Sequence, residues 1–362
     1  MERIIQELWN EIKQYINQFQ GKDMTLDNKD IFLFGTGMNG ILAFEALKGD
    51  YEVDGFLDNN PKLWGSFVEG IQIFSPDEIL NKENSIVIIT TATRNYEAIK
   101  RQLDEIGASY MTWLEYQLLI NQEKFRYVYE ELLCDLLSKE TYLKLVLANI
   151  TGKQEYRNQV YCENQYFALP DFNIPLRGEI FIDCGAYVGD TIESYIKTRL
   201  GYIGKIIAFE PNERVFSALE IRKKRLVEEW ALVDSDIIIE KKAIGFGQSK
   251  GTMITETDGN TAARVSEDGV HKIEIVSLDE YLLETKQEPL FIKVDVEGYE
   301  KKLLYGAEQL IKERKPLIAI SIYHKVEDFY EIPMLIKEWN PSYKMAIRSH
   351  LPNDTDTVLY CY

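Results

Sequence analysis

The apolar positions of this chain follow two rhythms. Short unbroken runs bounded by glycine or acidic residues read as buried strands, and stretches with apolar residues three and four apart read as helices. Between residues 30 and 106 the two alternate. DIFLFGTGMNG predicts a strand over 31–34 and a helix through Ala46; YEVDGFLDNNP predicts a second strand ending in Asp58; SIVIITTA predicts a third over 86–89, followed by a helix over 94–106. Such alternation implies a parallel sheet with right-handed crossovers. A second series starts at FIDCGAYVGDT (181–191) and continues through KIIAFEPN, with a strand ending at Glu210, a helix over 213–229, and IIIEKKAIG. VSLDEYL then leads to LFIKVDVEGYE, a strand ending at Asp295, a helix over 300–313, PLIAISIYH ending at His324, and a helix over 326–337. YKMAIRSH and TVLYCY close the series as a hairpin, so this sheet has an antiparallel edge.

Three further stretches have their own patterns. Ile4, Ile5, Leu8, Ile12, Tyr15, Ile16 and Phe19 share one face of a helix over 3–19, which either packs on its own domain or serves a homodimer. Phe125, Val128, Tyr129, Leu132, Leu133, Leu136 and Leu137 recur at helical spacing and continue with Leu143, Leu145 and Val146, giving a helical connector. GTMITETDGNTAARVSEDG (251–269) is expected to be a hairpin or flap. The resulting division is 1–111, 112–160 and 161–362: two Rossmann-like three-layer α/β domains joined by the connector.

Composition narrows the partners. With 41 Lys and Arg against 59 Asp and Glu, the formal net charge of −18 disfavours a nucleic-acid backbone or an anionic membrane surface. The four cysteines (Cys134, Cys162, Cys184, Cys361) form no C-x-x-C pair and no disulfide framework, as expected of reduced cytoplasmic thiols. No signal-peptide pattern and no membrane-length apolar run is present, so a cytoplasmic protein is expected.

Two glycine turns carry candidate chemistry. Gly35, Gly37 and Gly40 follow the first strand in G-x-G-x-x-G spacing, and Asp58 ends the next strand. That is the form of a nucleotide fingerprint, with phosphate on the helix N-terminus and Asp58 on ribose hydroxyls. The second turn is different: Asp183, Gly185 and Gly189 stand in D-x-G-x-x-x-G spacing, which provides one close backbone approach and no second glycine for a pyrophosphate. Glu210 ends the next strand, where its two oxygens can accept from vicinal ribose hydroxyls. A nucleoside with a small charged tail meets these demands, and S-adenosylmethionine is one. Asp295, His324 and His350 end strands and are expected to converge on the same rim. His324 is the preferred base, with Asp295 as its orienting group or as the base itself. Asp295, Glu297 and the histidines could instead hold a divalent ion, but no tight ligand spacing supports one and no metal is expected. Lys293 and Lys301 are expected to be solvated.

IDCGAY, FEPN, KKAIG, SLDEYL, IKVDVEGYE, Gly306-Ala307, IYH and the final VLY are similar, in order, to the landmarks of the FkbM family of S-adenosylmethionine-dependent methyltransferases. The resemblance covers residues 160–362. It implies a class I methyltransferase sheet of seven strands and O-methylation of hydroxyls on sugar-bearing or polyketide products. It also implies a cofactor loop of Asp183, Gly185 and Gly189 with Ala186, Tyr187, Asp190 and Thr191, and Glu210 on the ribose with Pro211 and Asn212 beside it. Ala243 and Ile244 are implied beside the adenine, Gln165 and Tyr166 over the cofactor, and Asp295 and Glu297 flanking the methyl-transfer centre. GTGMNG, GFLDNNPKLWG and VEGIQIFSPDEI resemble the small Rossmann-like domains of bacterial sugar-nucleotide and polysaccharide-biosynthesis enzymes, in which such a loop and strand cradle a nucleotide.

The expected function is therefore an S-adenosylmethionine-dependent O-methyltransferase acting on a hydroxyl of a carbohydrate, sugar nucleotide or glycoconjugate, with the N-terminal domain binding a nucleotide or a partner. The alternative is a nucleotide-binding scaffold of a polysaccharide pathway that turns nothing over. A nicotinamide enzyme is disfavoured, because the first domain has no Tyr-x-x-x-Lys pair.

Overall fold

The computed structural model describes residues 2–19, 25–79, 84–247, 249–255, 263–266, 271–283, 289–351 and 356–362. They group into two compact units. One contains Met1–Tyr129, Lys139–Val160 and Lys325–Glu327; the other contains Glu130–Ser138, Tyr161–His324 and Asp328–Tyr362.

The first unit runs α1 (Glu2–Asn17), β1 (Asp30–Phe34), α2 (Met38–Leu47), β2 (Gly55–Leu57), β3 (Phe67–Val68), β4 (Ile71–Phe74), β5 (Ser85–Ile89), α3 (Tyr96–Glu105), β6 (Tyr110–Thr112) and α4 (Trp113–Tyr127). The six-stranded sheet has the order β3-β4-β2-β1-β5-β6 and is parallel except for the β3–β4 pair. β1 and β5 read as continuous apolar runs because helices cover both faces, with Ile31 and Leu33 in one core and Phe32 and Phe34 in another. α4 starts on a capping box in which Thr112 and Glu115 satisfy each other's backbone N–H groups. α5 (Leu136–Thr151) and α6 (Glu155–Asn158) follow. The amphipathic face of α1 is largely covered within its own unit. Ile5, Leu8, Trp9, Ile12 and Ile16 are buried, Trp9 packs on Tyr129, and Tyr15 donates to Glu115 at 2.5 Å.

The second unit contains β7 (Ile180–Cys184), α7 (Asp190–Thr198), β8 (Lys205–Phe209), α8 (Glu213–Glu229), β9 (Ile237–Glu240), β10 (Ala243–Ile244), β11 (Ser249–Thr255), β12 (Ala263–Ser266) and β13 (His271–Val276). It continues with α9 (Leu278–Tyr281), β14 (Leu290–Val294), α10 (Glu300–Tyr305), α11 (Glu308–Arg314), β15 (Leu317–Ser321), α12 (Asp328–Trp339), β16 (Met345–Ser349) and β17 (Thr357–Cys361). Seven strands pair in the order β16-β17-β15-β14-β7-β8-β9, and β17 runs antiparallel to both neighbours, as the closing hairpin predicts. β10 to β13 form a separate four-stranded sheet, in which β11 pairs antiparallel with β12 and β13. The expected hairpin over 251–269 corresponds to β11 and β12; residues 256–262 and 267–270 lie outside the described residues.

The core of this sheet is aromatic. Phe181 stacks on Tyr195 with ring centroids 4.2 Å apart, and Phe291 meets Phe181 edge-on at 5.0 Å. β15 ends at Ser321, its last residue paired with β17, so His324 lies three positions beyond the strand rather than at its end. No helix among the described residues is long and apolar enough to cross a membrane.

Candidate active site

β8, β7 and β14 finish at one rim because they are in register: Cys184 pairs with Phe209 on one side and Val294 on the other. The turns that leave these strands bound a cavity of about 430 Å³. After β7, Gly185 and Gly189 adopt φ of +80° and +82°. A Cβ on Gly185 would stand 1.8 Å from the carbonyl oxygen of Asp295, so only glycine lets the turn after β7 pass against the turn after β14. Gly189 precedes α7, where a left-handed residue is again needed.

Glu210 follows β8 and is 8% exposed. Its Oε2 accepts from Tyr187 N at 3.0 Å and its Oε1 from Asn212 N at 2.8 Å. Burial pushes its pKa up to about 7, against the pull of those two donors. Each oxygen keeps a further lone pair, which suits two vicinal hydroxyls. Asn212 caps α8 through its side chain, which accepts from Arg214 N and Val215 N.

Beneath the loop lies an ion pair that the sequence reading missed. Lys293, in the buried strand β14, pairs in register with Asp183 of β7, and its Nζ stands 3.0 Å from Asp183 Oδ1. The same Nζ donates to Gly185 O at 2.7 Å. Lys293 is thus not solvated, as expected from its charge, but 2% exposed. It is tolerated there because Asp183, itself 0% exposed, supplies the counter-charge. Burial still raises Asp183 to about 6 despite the lysine. Lys301 does lie nearer the surface, paired with Glu331 at 2.6 Å.

The turn after β14 carries the acidic side of the cavity. Asp295 Oδ2 accepts from the Tyr166 hydroxyl at 2.8 Å, and Gln165 Nε2 donates to the same hydroxyl at 3.2 Å. His324 Nε2 lies 3.6 Å from Asp295 Oδ1 and 3.5 Å from Glu297 Oε2, while Nδ1 lies 2.9 Å from Oε1 of the fully buried Glu300. Burial lowers the pKa of His324, but Glu300, Asp295 and Glu297 outweigh it and hold the ring above its ordinary value. Burial raises that of Glu297.

Of the residues singled out in the sequence, Gln165, Tyr166, Gly185, Tyr187, Asp190, Thr191, Glu210, Pro211, Ala243, Ile244, Asp295 and Glu297 line the cavity. Asp183, Ala186, Gly189, Asn212 and His324 are not among the lining residues. His350 does not join the rim. Its Nδ1 lies 2.7 Å from Cys162 O and its Nε2 2.9 Å from the Tyr360 hydroxyl, and burial pushes it down to about 4. Lys242, Tyr299 and Asp356 line the cavity without having been singled out. Glu300 was also missed, although its place three residues beyond Glu297 in VDVEGYE put it within reach of the same turn.

In the first unit, a Cβ on Gly40 would stand 2.0 Å from Gly35 O, so Gly40 is what brings α2 against the β1 turn. Gly35 adopts φ +120°. Asp58 Oδ2 accepts from Thr36 Oγ1 at 2.7 Å and Oδ1 from Asn60 N at 2.8 Å.

A buried carboxylate, a glycine turn permitting close approach and the apolar Ala243 and Ile244 are a donor set that fits an adenosyl cofactor. Comparisons with known proteins agree with this fold. Residues 183–343 match the model of the methyltransferase FkbM domain, and residues 27–112 that of the C2185-like N-terminal domain. No curated protein gives a significant match. Among solved structures, methyltransferase FkbM from Methylobacillus flagellatus KT is similar over 99% of this chain and 100% of its own, at 19% identity and a TM-score of 0.60. UDP-D-quinovosamine 4-dehydrogenase from Vibrio fischeri is similar over 26% of this chain and 85% of its own, at 19% identity and a TM-score of 0.22. Aeropyrum pernix fibrillarin with bound S-adenosyl-L-methionine is similar over 52% of this chain and 70% of its own, at 12% identity and a TM-score of 0.30. Residues 183–343, almost all of them in the second unit, thus match a methyltransferase FkbM domain, which supports S-adenosylmethionine as the cofactor.

Proposed function

We propose that the chain is an O-methyltransferase for a hydroxyl of a carbohydrate, sugar nucleotide or glycoconjugate. The observation that carries this reading is a single cavity lined by Glu210 at one turn and Asp295 at another. When bound, S-adenosylmethionine supplies a methyl group on a sulfonium. Glu210 accepts the ribose hydroxyls, and the turn at Gly185 brings backbone close to the cofactor. Asp295 accepts the proton of the acceptor hydroxyl at Oδ2, which the Tyr166 hydroxyl steadies at 2.8 Å. Asp295 is preferred to His324 for this step because it lines the cavity and His324 does not. Alignment of the acceptor is the larger part of the work, since methyl transfer is an in-line displacement.

Calorimetric titration tests the cofactor half. Glu210→Ala is expected to weaken S-adenosylmethionine binding by roughly 10- to 100-fold, because it removes hydrogen bonds to a charged group worth ~1.5–3 kcal/mol each. Unchanged affinity would remove Glu210 from the ribose. Because Glu210 sits near 7, wild-type affinity is expected to rise from pH 6 to pH 8 as the carboxylate ionises, and Glu210→Gln is expected to flatten that rise. Methyl transfer to a panel of saccharides, followed by mass spectrometry, tests the other half. Cofactor binding with no transfer to any hydroxyl would favour the scaffold alternative.

We further propose that the first unit binds a nucleotide at the Gly35–Gly40 turn, supported by the close packing at Gly40 and by Asp58 at the neighbouring strand end. One of a panel of nucleoside diphosphates and their sugars is expected to bind, and Asp58→Ala to weaken it at least ~10-fold. No binding by any member, or binding indifferent to Asp58, would leave the unit without this role.

A further inference from the structure

At the acidic side of the cavity, the lining residue Asp295 and its neighbours Glu300 and His324 each offer one ligand atom within 4.8 Å of the others. These atoms are not at rest with one another. Asp295 Oδ1, Glu300 Oε2 and His324 Nε2 are buried and lack a hydrogen-bond partner, while His324 Nδ1 stands 2.9 Å from Glu300 Oε1. The His324 side chain is only 10% exposed and that of Glu300 0%, so water does not satisfy them from bulk solvent. The distances from His324 Nε2 to Asp295 Oδ1 and Glu297 Oε2, 3.6 and 3.5 Å, are too long for hydrogen bonds. They are closer to the separation of two ligands that share one ion. Backbone donors fix the arrangement: Val296 N and Gly298 N donate to Glu300 Oε1 at 3.0 and 3.3 Å, so this carboxylate cannot swing away. Three carboxylates thus converge on one imidazole, and the two lysines that line the cavity are already committed. Lys293 pairs with Asp183, and Lys242 with Glu240 and Glu274.

We propose that Asp295, Glu300 and His324 hold a divalent cation of the Mn²⁺ class, with Glu297 on the exposed side as a further oxygen ligand. Mixed imidazole and carboxylate ligation suits such an ion better than Mg²⁺, which prefers oxygen and water. This departs from the expectation of no metal. The ligands sit at residues 295, 300 and 324, a spacing that no sequence signature announces, and only the turn after β14 brings them together. Resting on the reading of the cavity as the methyl-transfer site, the cation lies beside Asp295, where it would draw two neighbouring hydroxyls of the acceptor to its open positions. The acceptor class is then a vicinal diol, and Asp295 keeps Oδ2 for the proton while Oδ1 faces the ion.

Two titrations on the full chain test this. In the first, Mn²⁺ alone is added to chelator-treated protein, and loss of the free-ion electron paramagnetic resonance signal is followed. One ion per chain is expected to bind, with His324→Ala weakening it at least ~10-fold and Glu300→Gln by ~10–100-fold. In the second, S-adenosylmethionine is titrated with chelator present, where wild type and correctly folded variants are expected to bind alike. Should a core variant fail that control, Glu297→Gln, at a half-exposed position, takes its place and is expected to weaken Mn²⁺ by a few-fold. No Mn²⁺ binding, or binding indifferent to His324 and Glu297, overturns the proposal, the second outcome marking adventitious capture by a chain of net charge −18. Failure of S-adenosylmethionine to bind while Mn²⁺ does would instead overturn the diol reading and leave the cation site standing.

Discussion

Lys293→Met is expected to lower the melting temperature of the methyltransferase unit by roughly 6–20 °C at pH 8. The substitution keeps the length of the stem inside β14 and removes the charge that faces Asp183 at 3.0 Å. A buried ion pair broken on one side costs about 3–5 kcal/mol, because the remaining charge has neither partner nor water. For a unit of this size each kcal/mol corresponds to about 2–4 °C. The pH dependence identifies the mechanism. Asp183 already sits near 6 in the intact protein, above its ordinary 3.8. An acid raised in the folded state contributes stability that is present below its unfolded value and lost as pH rises through the folded one. Without the lysine that value moves further up, so the variant's deficit should widen from pH 5 to pH 8. Adding Asp183→Asn should restore most of the loss, since a neutral pair needs no counter-charge. A deficit that is flat with pH, or a double variant no better than the single one, would mean that packing rather than charge holds Lys293 in place. Circular dichroism melts across that pH range measure both.

The Lys293 pair also shows where reading the sequence stops. The strands, their alternation with helices and the two glycine turns were legible because each depends on local pattern: apolar runs, a glycine, an acid at the end. The run LFIKV has the pattern of a buried strand, yet its lysine points to solvent on sequence grounds, because charge normally excludes a residue from a core. What reverses this is register, which places Lys293 opposite Asp183 across two strands more than a hundred residues apart. The same holds for His324. Its sequence position suggested a strand end on the rim, like that of Asp295. In fact β15 stops pairing at Ser321, and the residues beyond it carry His324 behind Asp295 and against Glu300. His350 looked equivalent and is not, because Tyr360 and the Cys162 carbonyl occupy both of its nitrogens. A histidine's role is set by what faces its ring, and that is tertiary information.

Gly185→Ala is expected to abolish measurable S-adenosylmethionine binding, a loss of at least ~100-fold, whereas Gly189→Ala is expected to cost less than ~10-fold. The two positions look alike in sequence and in backbone, with φ of +80° and +82°. Either alanine therefore bears a left-handed strain on the order of 1 kcal/mol. They differ in what a new Cβ meets. At Gly189 the nearest atom is Leu219 Cδ1 at 2.7 Å, the end of a side chain that can rotate. At Gly185 it is the Asp295 carbonyl oxygen at 1.8 Å, and that is backbone. To relieve it, the turns after β7 and β14 must separate, and these turns carry Tyr187 on one side and Asp295 and Glu297 on the other. The separation would also pull Gly185 O from Lys293 Nζ, now 2.7 Å away, so the strain reaches the buried pair. Equal losses at the two glycines would show that backbone strain alone governs the loop. A larger loss at Gly189 would place the cofactor's closest approach at the start of α7 instead of at the strand end. Calorimetric titration of both variants, with unfolding midpoints recorded alongside to exclude global loss of structure, decides between these outcomes.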